Sequence, residues 1–180
     1  MMENQQLITR RVGSGTFLSE NADQIVSRID PTPTPWHDHV PSFLEIVEAR
    51  LLFEPGMLAL AVARATEDDF CDMDRRLSEV SAAADWLAFK EAIYAVHGAV
   101  FAATKNRFLQ QIFENIVSDR RAVRFDGRGT GAAVAQPVRE QAYFDLSQIV
   151  AAIKGRNARR AEKLMKDHLL RIAATVNIYG

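Results

Sequence analysis

Two imidazoles, one guanidinium and one thiol are the side chains of this sequence whose surroundings suggest chemistry. They belong to His97, His168, Arg50 and Cys71. His97 has Ile93, Tyr94, Val100 and Phe101 at positions −4, −3, +3 and +4, and His168 has Leu164, Met165, Arg171 and Ile172. At helical spacing both rings project from largely apolar, core-directed faces. Such a ring is either a core histidine satisfied by local partners, or one of two imidazoles that meet in a cavity to hold a metal or an anionic ligand. Two ligands at unrelated spacing do not define a metal site, so periodicity favours the core reading. Arg50 lies in an apolar helix beside Leu44, Val47, Leu51 and Leu52, with Glu54 at i+4. That spacing predicts a helix-surface ion pair worth a few tenths of a kcal/mol. The alternative is a guanidinium turned into the helical body to bind a carboxylate bidentately.

Other motifs are weaker. Cys71 has no histidine in its own helix and reads as a small buried apolar residue. His37-Asp38-His39 sits in a proline-rich stretch with no further ligand close by, and Gly127-Arg128-Gly129-Thr130-Gly131 lacks the strand and the Lys-Ser/Thr of a phosphate loop. Neither Ser14 nor Ser19 has a partnered base. With no nucleophile–base pair or carboxylate dyad, the chain is not expected to be an enzyme.

The elements that would position these residues are mostly helices. Ser42 with Glu45 forms a capping box, and the helix it opens is predicted to end near Phe53, because Pro55 disfavours helical dihedrals at Glu54. Pro55 then starts a second helix to about Arg64. Thr66 and Asp85 are N-caps for helices of about 67–83 and 86–104. Further helices are expected over 107–125, from Pro137 to a stop at Gly155, and from the cap Asn157 to about Val176, with a loop over 126–136. The result is an all-α antiparallel bundle of about seven helices. Residues 1–20 differ: two β-capable runs flank Val12-Gly13-Ser14-Gly15, a hairpin signal. Residues 21–41 hold Pro31, Pro33, Pro35 and Pro41 and read as a linker, leaving 42–180 as the helical domain.

Composition bounds the function. Lys and Arg number 22 against 23 Asp and Glu, and 48% of residues are apolar, as in a folded globular chain. The single cysteine excludes an intrachain disulfide and fits a reducing, cytoplasmic setting. No apolar run reaches the ~20 residues of a membrane helix, so no membrane partner is expected. The net charge of −1 argues against a nucleic-acid binder. Charge is unevenly placed, however, with a net of −6 over residues 45–91 and +5 over 154–171.

Taken together, these pieces resemble a known family. Glu48-Ala49-Arg50…Glu54-Pro55 followed by Leu58-Ala59-Leu60-Ala61 is similar to the opening helices of the FCD effector-binding domain of GntR-family transcriptional regulators, FadR subfamily. His97 followed by Asn106 resembles the family's Phe-His…Asn pattern, with Val96 in place of the Phe. Ala152-Ile153…Asn157…Ala161…Met165…His168-Leu169 resembles its closing pattern. Leu7 to Phe17 is similar to the wing hairpin that ends the family's winged helix-turn-helix, so the chain reads as a regulator truncated within its DNA-binding domain.

The resemblance implies a homodimeric, metabolite-responsive regulator whose effector, a small organic acid or similar compound, occupies a helical cavity. Arg50, His97 and His168 are the implied ligand contacts, with Arg50 supplying charge and Ile93 and Leu146 lining the cavity. Arg10 and Arg11 would touch DNA phosphate or minor groove, with operator binding confined to the full-length protein. The charge balance then describes an effector domain rather than a DNA reader. Many relatives bind a divalent metal through one Asp and three His. Here Ile93 and Leu146 stand at two of those positions, leaving His97 and His168 as an incomplete metal site, and no cofactor is expected. The contrasting expectation is a stand-alone metabolite-binding module without a DNA role.

Overall fold

In the computed structural model, residues 8–11, 15–19, 41–122 and 133–177 are described, with side chains over 19, 41–118 and 133–174. The chain divides into two units, residues 1–40 and 41–180. In the first, β1 (Ile8–Arg11) and β2 (Gly15–Leu18) pair antiparallel, with Ile8 opposite Leu18 and Arg11 opposite Gly15. Arg10 and Arg11 lie on β1, and their side chains are outside the described residues. So are residues 21–40 of the expected 21–41 linker, His37 to His39 among them.

The second unit is all-helical. Its described elements are α1 (Phe43–Arg64), α2 (Glu67–Ala82), α3 (Trp86–Ala103), α4 (Arg107–Ala122), α5 (Gln136–Lys154) and α6 (Ala158–Asn177). Most starts follow from local chemistry. Ser42 Oγ accepts from Glu45 N while Glu45 Oε2 accepts from Ser42 N, which closes a capping box on α1. Thr66 and Asp69 do the same for α2, and Asp85 accepts from Ala88 N at the start of α3. Asn106 Oδ1 caps α4 through the amides of Phe108 and Leu109, and Asn157 Oδ1 caps α6 through Arg160 N. The expected end of the fourth of these helices near residue 125 and most of the 126–136 loop lie outside the described residues.

One boundary differs from expectation. Six helices are described, not about seven, because α1 runs unbroken through Pro55. Phe43, Ile46, Val47, Arg50, Glu54, Leu58, Ala61 and Val62 are buried on one continuous 3–4 stripe. A break at residue 53 would rotate the second half of that stripe off the core. Tertiary burial along both halves therefore outweighs the one ladder hydrogen bond that proline removes.

The body is a ring in which α1 packs on α6, α6 on α5, α5 on α2, α2 on α3 and α3 on α1. Short connections, Ala83–Asp85 between α2 and α3 and Gly155–Asn157 between α5 and α6, set these pairs antiparallel. The main core holds Leu58, Met73, Val80, Val96, Ile149, Ile153, Met165 and Leu169 among others. The α4 helix covers the α1/α3 edge through a satellite cluster of Phe101, Phe113 and Val117 with Phe53, Met57 and Tyr94. Cys71 is exposed, contrary to expectation, since the buried phase of α2 is Phe70, Met73, Leu77 and Val80. The helix stop at Gly155 is as expected. Gly155 has φ −75°, and the left-handed residue is Arg156 at φ 54°. Its guanidinium donates to the carbonyls of Val62 and Ala65 and lies 5.1 Å from the Phe70 ring centre, which holds the α5–α6 turn to the end of α1.

Two substitutions separate packing from capping. Leu58→Ala, at a position with no exposure, is expected to lower unfolding free energy by ~2–5 kcal/mol. Ser42→Ala should cost ~1 kcal/mol through loss of the cap alone. Urea denaturation read by circular dichroism measures both.

Candidate functional site

Arg50, His97 and His168 converge from α1, α3 and α6 and are joined by Asp145 of α5, whereas Cys71 lies exposed on α2. Arg50 and Glu54 come from α1, one turn apart, so continuity of α1 through Pro55 is what sets them side by side. Arg50 Nε donates to Glu54 Oε1 at 2.5 Å, and both side chains are buried, with relative exposures of 4% and 0%. This is the expected pair, moved from the surface to the interior. Across from it, His97 on α3 places Nδ1 2.6 Å from Glu54 Oε2. The Arg50 guanidinium also lies over the Tyr94 ring at 5.7 Å, a cation–π contact.

His168 on α6 is built in the same way. Its Nδ1 lies 3.1 Å from Asp145 Oδ2 of α5. Arg171, one turn further along α6, grips Asp145 bidentately, Nε to Oδ2 at 2.8 Å and a terminal nitrogen to Oδ1 at 2.7 Å. Gln141 donates to Oδ1 as well, at 2.8 Å. The bidentate carboxylate grip considered for Arg50 is thus made by Arg171. The two imidazoles meet, with ring centres 5.4 Å apart and planes tilted by 34°. On its other side His97 stacks on Phe113, which stacks in turn on Phe101 at 4.6 Å.

Electrostatics follow from this wiring. Burial alone would raise the Glu54 carboxyl, but the Arg50 charge and the His97 contact win and hold it down at about 2. Asp145 is likewise held at about 2, with hydrogen bonds from His168, Arg171 and Gln141 overcoming desolvation. For His168 burial dominates, and its pKa falls to about 4 despite the Asp145 contact, so the ring is neutral near pH 7. Desolvation works against the charged form of Arg50, yet Glu54 keeps its pKa raised.

Two polar atoms are left over. His97 Nε2 and His168 Nε2 are both buried and have no hydrogen-bond partner. Ile93, half-buried, and Leu146, 1% exposed, belong to the main core and offer no donor atom. Among the described residues no group of three or more His, Cys, Asp or Glu is placed to hold a metal ion. The carboxylates that could ligate are already spent on Nδ1 atoms. Two imidazole nitrogens fall short of the three or four protein ligands of a divalent site, so these residues do not fit the metal that the resemblance implies.

Sequence reasoning missed Glu54 and Asp145 as partners of the histidines. Their separations, 43 and 23 residues, carry no local signal. The available clue was a carboxylate in the middle of an apolar stripe, which must be paired if the helix is buried. A separate groove of about 880 Å³ lies between α2, α3 and α4, floored by Ala92, Ala95 and Ala99 and walled by Phe113. None of Arg50, Ile93, His97, Leu146 and His168 lines it.

Comparison with known proteins decides the family. The FCD domain profile matches residues 45–171. The chain belongs to the FCD domain family. It is similar to the HTH-type transcriptional regulator LutR of Bacillus subtilis (strain 168), at 25% identity over 175 residues, 96% of this chain and 78% of LutR. In fold it is similar to a GntR protein of Streptococcus agalactiae (TM-score 0.60, 16% identity, 97% of this chain and 77% of that one). It is also similar to E. coli McbR/YncC (TM-score 0.62, 13% identity, 99% and 81%). This FCD chain is therefore of the GntR/FadR regulator type and not an enzyme. Among its described residues no helix is long and apolar enough to cross a membrane.

The buried ionic cluster makes two expectations. Glu54→Leu strands the Arg50 charge and should cost ~3–5 kcal/mol, whereas the double variant Arg50→Met/Glu54→Leu should regain at least ~1 kcal/mol of it in a denaturant double-mutant cycle. The FCD body should also lose stability in two stages as pH falls. Between about 6.5 and about 4 the unfolded chain takes up a proton that folded His168 refuses. From about 4.5 toward about 2, Glu54 and Asp145 stay ionised in the fold while their unfolded counterparts protonate. In His168→Gln the upper stage should shrink while the lower one remains, read as urea midpoint against pH.

Proposed function

We propose that this FCD protein is a metabolite-responsive transcriptional regulator whose effector binds at the His97–His168 pair. The observation that carries the reading is the pair of buried, partnerless Nε2 atoms inside an FCD body, because a folded core rarely leaves two such acceptors unmet. Arg50 contributes by holding Glu54, and hence His97, in place. Ile93 and Leu146 supply apolar surface, and the effector is a small metabolite. The protein acts in the cytoplasm as a homodimer on a two-fold operator, as its membership among GntR-type regulators suggests. Arg10 and Arg11 on β1 serve as contacts to DNA phosphate or minor groove.

Signalling then is a shift of populations. The effector stabilises one arrangement of α1, α3, α5 and α6 over another, and the DNA-binding parts of the dimer follow. Neither a catalytic step nor a bound metal is needed.

Deletion of the gene tests the reading. Transcripts of a restricted gene set should change in the deletion strain and return to normal on complementation, while complementation with His97→Ala/His168→Ala restores repression or activation without metabolite response. An unaltered transcript profile after deletion overturns the proposal. The purified protein should also run as a dimer of roughly 40 kDa, twice its 20.1 kDa, by light scattering.

A further inference from the structure

We infer that the histidine pair recognises an uncharged ligand through its hydroxyl groups, and does so without a metal ion. This inference rests on the reading that the pair is the effector site. Its starting point is where the protons must be. Glu54 Oε2 and His97 Nδ1 are 2.6 Å apart, a separation that two bare acceptors do not tolerate. Nδ1 therefore carries the proton and donates it to the carboxylate. The approach of the Arg50 terminal nitrogen to the same Nδ1, at 3.5 Å, is too long to compete. Asp145, held as a carboxylate by Arg171 and Gln141, imposes the same tautomer on His168 at 3.1 Å. A second proton on either ring would bury an N–H cation with no acceptor. Both rings thus present a bare lone pair at Nε2.

Two buried lone pairs without donors leave their desolvation uncompensated, and a ligand that donates to them recovers that cost. Three ligand chemistries compete for the position. A carboxylate brings oxygens that accept, against nitrogens that also accept. It finds no spare positive charge either, since Arg50 is matched by Glu54 and Arg171 by Asp145. Its burial would be uncompensated. An ammonium donates, but carries its charge next to Arg50. A hydroxyl donates without charge, and two hydroxyls on neighbouring carbons offer one donor to each ring.

The same wiring disfavours a metal ion. Carboxylates hydrogen-bonded to Nδ1 are the outer-shell partners that orient imidazoles toward a metal. Here that outer shell is complete, while Ile93 and Leu146 stand where further ligands would be. What remains is an oriented acceptor pair, suited to hydrogen bonds instead of coordination.

The test is nuclear magnetic resonance of chelator-treated protein labelled with 15N in its histidines. Long-range 1H–15N correlations distinguish the tautomers, and single His→Gln replacements assign the four histidines. Both rings should be Nδ1–H with unprotonated Nε2. Propane-1,2-diol should shift the Nε2 signals of His97 and His168. Lactate, which differs by a carboxylate in place of one CH2OH, should leave them in place, as should one equivalent of zinc. An Nε2–H tautomer or an imidazolium at either ring overturns the inference. So does a lactate shift equal to or larger than the diol shift, a stoichiometric zinc shift, or the absence of any diol shift. These signals are independent of DNA and of transcription, so their failure leaves the regulator reading standing, and an unaltered transcript profile leaves the tautomers standing.

Discussion

The rest of the helical body is organised around one charge in its interior. Glu54 has no solvent exposure, and an ion of that size loses several kcal/mol of hydration on burial. Arg50 and His97 offset the loss, and they can do so only if α1 is continuous across Pro55 and α3 lies at the right height beside it. The carboxylate therefore constrains a helix and an interface at once. Removing Arg50 leaves the Glu54 charge stranded, whereas shifting the register of α3 by one residue would turn His97 away and bring Val96 or Gly98 to the same place.

A second carboxylate, Asp145, repeats the arrangement between α5 and α6, and the two imidazoles so oriented come within 5.4 Å of each other. Each half joins one carboxylate to one guanidinium and one imidazole, and the polar atoms left without partners there are the two Nε2 nitrogens. Phe113 and Phe101, brought by α4 and α3, shield one side of His97 from the groove beyond. Because α4 is held mainly by this small aromatic cluster, the wall of the site belongs to one of the less firmly anchored parts of the fold.

Much of the fold was legible because its signals are local. Ser42, Thr66, Asp85 and Asn157 cap the helices they were expected to cap, since an oxygen three residues from an orphan amide needs no distant partner. The hairpin between Ile8 and Leu18 and the burial of both histidines follow from patterns within a few residues. Pro55 was misread because proline's local cost is certain while the opposing term, burial of a stripe on α6, is not written nearby. Cys71 was misread because one turn of helix does not define phase, and Phe70 and Met73 claim the core.

The sequence by itself determined the helical class, the caps, the candidate residues Arg50, His97 and His168, and the resemblance that the FCD match to residues 45–171 upholds. Only the tertiary structure decided what those residues do to one another. It turned Arg50 from a surface ion pair into the partner of a buried carboxylate, and gave each histidine an acidic neighbour 43 or 23 residues away. The reason is physical: a hydrogen bond acts over about 3 Å in space, and spacing along a chain reports such distances only within a turn or two of helix.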